Sequence, residues 1–176
     1  LQFSGTLSIA DTTSTTTLAT TDLGLTTGAL GVGNGGILTA NATTAAFTSV
    51  TMTGGTSGII TVTTGAWTVS GSWNTSGVGS IYTQGTGIVT FDATATITLL
   101  STDNTFDDLT ISAGTSTMAS AVIVTNTLSV TGTLATAGLA LTTGPMVVNN
   151  AGVLTANAST VLATSVTMTG GVSGTI

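Results

Sequence analysis

The chain has 176 residues, 41% of them hydrophobic, with 24 Gly, 46 Thr and no Lys, Arg, His, Cys or Glu, and six aspartates carry its formal charge of −6. Without a basic residue there is no positive patch for phosphates or anionic lipids, and without cysteine there is no disulfide framework or thiolate metal site. No stretch approaches the roughly 18–20 apolar residues of a membrane helix, so neither nucleic-acid binding nor membrane insertion is expected.

Thr, Val and Ile dominate, and these residues favour strands rather than disorder. In chain order, the strand-like pieces alternate apolar and small polar residues: TLSI (6–9), SVTMT (49–53), AWTV (66–69), TATITL (94–99), DLTIS (108–112), TLSV (127–130) and SVTMT again (165–169). Alternation of this kind reads as strand. Gly, Asn or Asp follows most of them, as turn formers do. No helical period is visible, and no helices are predicted.

The chain repeats itself. LTANATTAAFTSVTMTGG (38–55) returns as LTANASTVLATSVTMTGG (154–171), and residues 15–60 match residues 131–176 at 30 of 46 positions. A more divergent copy lies between them: GIVTFDAT (87–94) and FDDLTISAG (106–114). Counted from residues 1, 61 and 122, Leu7, Trp67 and Leu128 all fall at place seven, which divides the chain into modules 1–60, 61–121 and 122–176. Leu1 begins where Thr61 and Val122 begin, and Ile176 ends where Ile60 and Ala121 end. The termini are therefore expected to be in phase, and the chain to be a segment of a longer array or filament.

A shorter beat runs inside the modules. Leu109, Leu128, Val147 and Val166 open similar tripeptides at a constant spacing. A period of this size fits one coil of a parallel β-helix. The predicted fold is an all-β solenoid of roughly nine coils of about 19–20 residues, on the order of 40 Å long at the spacing of stacked strands. A β-sandwich would use hairpins, and a propeller would carry a longer repeat.

NTFDDLTISAG (104–114) followed by NTLSVTGTLATAGLALTTG (126–144) resembles the repeats of large secreted β-helix proteins of bacteria and archaea, adhesin-like and cell-surface. The resemblance covers most of the chain through a loose motif. It implies a right-handed parallel β-helix at a cell surface, without catalysis, and brings no functional residues to carry over.

The sequence offers few sites. Asp103, Asn104, Asp107 and Asp108 form the densest oxygen cluster and are a calcium candidate, although they lack the spacing of calcium-binding β-helix repeats; a self-capping turn is the favoured alternative. Asn41, Asp92 and Asn157 occupy one place in the three modules and suggest a stacked turn ladder. Asn41, Asn74 and Asn157 also open N-glycosylation sequons, a reading that excludes a buried ladder at the same residue. The aromatics Trp67, Trp73, Tyr82 and Phe91 are expected in the core, with exposed sugar-stacking platforms as the alternative. Thr-x-Thr pairs such as Thr61/Thr63 and Thr167/Thr169 do not keep the beat of the coils, so an ice-binding array is a minor alternative.

Catalysis is not expected, because no His, Lys, Arg, Cys or Glu is present and Asp107 and Asp108 are adjacent, facing opposite sides of a strand. The expected function is structural: an extracellular or cell-surface filament, sheath or stalk whose partner is another copy of itself. The alternative is an adhesin-type or carbohydrate-binding module with glycans as partners. No cofactor is expected beyond the calcium candidate.

Overall fold

A computed structural model of the chain describes residues 1–11, 13–21, 23–41, 44–52, 58–100 and 105–169. Twenty strands and no helix are found among them. The early coils carry β1 (Leu7–Ile9), β2 (Thr16–Thr21), β3 (Leu25–Val32), β4 (Gly36–Asn41), β5 (Ala45–Met52) and β6 (Ile59–Val62). The middle coils carry β7 (Ala66–Val69), β8 (Trp73–Thr75), β9 (Ile81–Gln84), β10 (Ile88–Phe91), β11 (Ala95–Leu99), β12 (Thr105–Phe106), β13 (Asp108–Ile111) and β14 (Thr115–Met118). The last coils carry β15 (Val122–Val124), β16 (Leu128–Val130), β17 (Thr133–Ala135), β18 (Leu141–Val148), β19 (Val153–Thr155) and β20 (Val161–Met168).

Every ladder between these strands is parallel, and partners lie about one coil apart in sequence. The result is a parallel β-solenoid of about seven turns. It has three faces. The first holds β2, β4, β6 and β9, and higher up β12, β15 and the opening halves of β18 and β20. The second holds the opening halves of β3 and β5, then β7, β10, β13, β16 and the closing halves of β18 and β20. The third holds β1, the closing halves of β3 and β5, then β8, β11, β14, β17 and β19.

Seven turns replace the nine expected from sequence, because the coil is not constant. On the second face the stacked residues are Leu25, Ala45, Trp67, Val89, Leu109, Leu128, Met146 and Val166. The coils from Ala45 to Trp67 and from Trp67 to Val89 are the longest in this column, and the coil from Leu128 to Met146 is the shortest. On the third face the column begins Leu7, Leu30, Val50, Trp73 and Ile97, and its widest step is the one from Trp73 to Ile97. Along the second face the beat evident in the sequence holds only between β13 and β16. It fails at Val147. Met146 stands in the inward column, buried, and Val147 points outward, because the coil below them is one residue shorter than the coil from Leu109 to Leu128. A one-residue change in register moves the side chain to the other face.

The long repeat is not a whole number of turns either. β18 and β20 are the second copies of β3 and β5, and their seven ladder pairs repeat one for one, from Leu25↔Ala45 and Leu141↔Val161 to Val32↔Met52 and Val148↔Met168. Yet β3 spans the second and third faces, whereas β18 spans the first and second. Between them the chain makes five turns and two further faces. Each of these long strands bends at a glycine, Gly28 or Gly144. A Cβ on Gly28 would lie 2.8 Å from the Gly5 carbonyl oxygen, and one on Gly144 would lie 2.2 Å from that of Asn126. Trp67 and Leu128 share a column three turns apart, while Leu7 stands on the third face in the column of Trp73.

Inward positions form one continuous apolar core along the axis. Its widest part is aromatic. Trp73 meets Tyr82 at 5.1 Å, Phe106 at 5.7 Å, Trp67 at 6.2 Å and Phe91 at 6.5 Å between ring centroids. Trp67 fits because Ala45, a small residue, stacks beneath it, with Phe47 set edge-on at 5.1 Å.

Candidate functional site

The four aromatics Trp67, Trp73, Tyr82 and Phe91 are buried, as the core reading expects, so they offer no platform for sugar stacking. This coil is also where buried polar atoms concentrate. Trp67 Nε1, Trp73 Nε1, Thr75 Oγ1, Ser80 Oγ, Tyr82 Oη and Gln84 Oε1 are six of the eight buried side-chain polar atoms without a hydrogen-bond partner among the described residues.

Burial, and secondarily the Asp107 carboxylate, pushes the Tyr82 phenol above its ordinary value of 10.0. The folded state therefore disfavours tyrosinate. Stability from this group is present below the unfolded value and is lost as pH rises past it. Tyr82 is the one tyrosine in the chain, so phenolate absorbance should stay flat through pH 10 and rise only as the β-sheet circular dichroism disappears. A reversible titration near 10 with the sheet signal intact would contradict the burial.

Asn41, Asp92 and Asn157 do not stack. Asn41 closes β4 at the corner between first and second faces. Asp92 follows β10 at the corner between second and third, and Asn157 follows β19 at the corner between third and first. Asp92 does belong to a ladder, with other partners. The backbone N–H groups of Ser70, Asp92, Ser112, Thr131, Asn149 and Thr169 each donate to the carbonyl of the residue just before their counterpart one coil below, at 2.7–3.3 Å. This column is hydroxyl or Asx throughout. Asn149 ties three coils together: its Nδ2 donates to Ser129 Oγ at 2.8 Å and Thr131 Oγ1 at 3.2 Å, and its Oδ1 accepts from Thr169 Oγ1 at 3.0 Å.

Beside it runs a second outward column at the centre of the second face: Thr68, Thr90, Thr110, Ser129, Val147 and Thr167. The pairs Thr68/Ser70, Thr90/Asp92, Thr110/Ser112, Ser129/Thr131 and Thr167/Thr169 thus recur on one face, coil after coil apart from Val147/Asn149. Neighbouring rungs lie about 4.8 Å apart by strand geometry, and the column from Ser70 to Thr169 stands just past the end of each strand, at the corner with the third face. Asp92 is its one charged residue, and no aromatic side chain stands in either column. Chemically the two columns present donors and acceptors with interspersed methyl groups. The Thr-x-Thr pairs evident in the sequence scatter instead: Thr61 lies on the first face, and Thr96 and Thr98 lie on the third. The array escapes a search at fixed spacing because its coils vary and because Ser, Asp and Asn replace Thr in it.

Of the calcium candidates, Asp103 and Asn104 lie outside the described residues. Asp107 Oδ1 accepts from Thr125 Oγ1 at 3.3 Å, and Asp108 Oδ1 accepts from the Thr127 N–H at 2.9 Å. Both carboxylates thus tie one coil to the next. Among the described residues there is no group of three or more His, Cys, Asp or Glu placed to hold a metal. Asp11 caps another corner. Hydrogen bonds from the Ser14 hydroxyl, then from the N–H and hydroxyl of Thr13, hold its carboxyl at about 2, below the usual 3.8.

The sequons differ in setting. Asn74 is exposed on the outer side of β8, Asn157 is exposed at a corner, and Asn41 is half-buried at the end of β4. Comparison of the chain with protein-family models, curated proteins and solved structures finds no match.

Proposed function

We propose that this chain is a structural rod, a protomer or repeat segment of an extracellular filament, sheath or surface stalk in which solenoid coils stack end to end. One observation carries the reading. β18 and β20 repeat the ladder of β3 and β5 pair for pair, and β5 carries the next coil in parallel register, so the same sequence already serves as a rung for further coils. A parallel rung with an inward apolar column is a template for another rung. The absence of any basic residue removes trypsin-type cleavage sites and supports an exposed role. The adhesin-like, cell-surface placement rests on the resemblance of the repeats.

The test starts with the mass of the fully denatured native chain. A species far above 17.0 kDa would make these residues one period of a covalent solenoid. A 17.0 kDa species that forms filaments when folded would mean that separate chains stack. In that case Val166→Asp, which puts a carboxylate in the stacking plane, should abolish filaments and keep the β-sheet signal. A chain of 17.0 kDa that stays monomeric at high concentration would overturn the filament reading and favour an adhesin-type module.

A second reading is favoured by the two-column hydroxyl array: the second face binds ice. Thermal hysteresis at millimolar protein, abolished by Thr110→Tyr, is the expected result. Its absence in the wild-type chain would end this reading.

A further inference from the structure

We propose that Asn74 is the N-glycan acceptor of this chain, and that Asn41 and Asn157, which share the sequon pattern, are not. That the chain meets a glycosyltransferase rests on the extracellular reading above; the choice among the three asparagines does not.

The three sequons, Asn41-Ala-Thr43, Asn74-Thr-Ser76 and Asn157-Ala-Ser159, share one pattern in sequence and are separate in structure. At Asn74 the side chain is exposed on the third face, and its outward neighbours in the ladder are Thr51 and Thr98, both small. Ser76 donates its backbone N–H (3.1 Å) and its hydroxyl (2.7 Å) to Asn74 Oδ1. Both bonds go to the carbonyl oxygen and neither occupies Nδ2; by drawing electron density toward the oxygen they make the Nδ2 protons easier to remove. The chain then enters a turn closed by the Ser80 N–H donating to the Gly77 carbonyl at 3.0 Å, with Val78 81% exposed at its tip. A transferase can therefore approach the sequon from the strand end without displacing a neighbouring coil.

Asn157 is exposed as well, but its sequon partner is engaged elsewhere. The Ser159 hydroxyl donates to the Asn157 backbone carbonyl at 3.3 Å and meets the Thr136 hydroxyl one coil below. Asn41 is half-buried within the β2–β4 ladder, registered against Thr21.

The substrate would be an oligosaccharide on a polyprenyl diphosphate. Nδ2 of Asn74 attacks C1 of the first sugar, the bond from C1 to the diphosphate oxygen breaks, and the lipid diphosphate leaves with the electron pair. The transferase's base takes the proton from Nδ2, and nothing is oxidised or reduced. A glycan here projects from the third face and leaves the hydroxyl columns of the second face uncovered.

The test is expression of the full chain through a eukaryotic secretory pathway, with secreted and cell-retained chains both mapped. A protease that cuts after aromatic residues isolates Asn74, and amidase release in heavy-oxygen water marks each occupied asparagine as aspartate. Asn74 should be occupied in most chains, with loss of the glycan in Asn74→Gln and Ser76→Ala and retention in Ser76→Thr. Circular dichroism checks that each variant keeps the sheet. An unmodified Asn74, equal occupancy at Asn41 or Asn157, or a glycan that survives Ser76→Ala would overturn the assignment. Filament formation by the unglycosylated chain is scored separately, so failure here leaves the structural reading standing, and the reverse.

Discussion

Trp73→Ala is expected to remove about 3–5 kcal/mol of stability, the cost of deleting a fully buried aromatic side chain. Trp73 is completely buried and has ring contacts to Trp67, Tyr82, Phe91 and Phe106, which come from the same coil and the next. In a solenoid each coil is held mainly by its neighbours. The cavity should therefore uncouple the lower coils from the upper ones and broaden the denaturant transition as well as shift it. Trp73→Phe separates packing from polarity. It keeps an aromatic ring and removes Nε1, a buried donor without a partner among the described residues. An unsatisfied buried donor costs about 1–3 kcal/mol, so its removal offsets part of the lost volume, and the phenylalanine variant should lose well under half of what alanine loses. Equilibrium unfolding followed by circular dichroism measures both. An alanine loss below about 1 kcal/mol would mean that Trp73 is not the centre of this core.

Much of the fold was legible because period-two alternation is a local signal. TLSV, DLTIS and SVTMT declare strands by themselves, and Trp67 and Trp73 declare their burial by standing where Leu128 and Leu134 stand. Coil number was not legible, because it depends on corner lengths. Corners accept one to several residues without disturbing the ladders on either side. A beat read from the step between Leu109 and Leu128 therefore does not extend to the longer step between Trp73 and Ile97. The same physics hid the polar ladder. Asn41 and Asn157 look like one position because they hold the same place in two copies of one sentence. The copies are five turns and two faces apart, which carries equivalent residues to different corners. The residues that do stack on Asp92, such as Ser70 and Ser112, are its neighbours only through two coils of unequal length.

A pair of substitutions at β18 tests that account of register where the beat of the sequence and the structure disagree most sharply. The beat places Val147 inward. The ladder places Met146 inward, stacked between Leu128 and Val166, and turns Val147 outward beside Ser129 and Thr167. Met146→Ala should therefore cost about 2–5 kcal/mol, the range for a buried methionine cut back to alanine. Val147→Ala should stay within about 0.5 kcal/mol, as surface substitutions do, less any small loss of β-propensity. The comparison is internal, since both residues lie on one strand and are read by the same unfolding transition. A larger loss at Val147 than at Met146 would mean that the strand sits one residue out of this register. Because a slip by one residue reverses every side chain on the strand, and β20 is registered on β18, it would also turn Ser165 and Thr167 inward in place of Val166 and Met168 in the rung above. The hydroxyl column of the second face would then break at that coil, so the same pair of variants decides whether the array continues through the last coils of the rod.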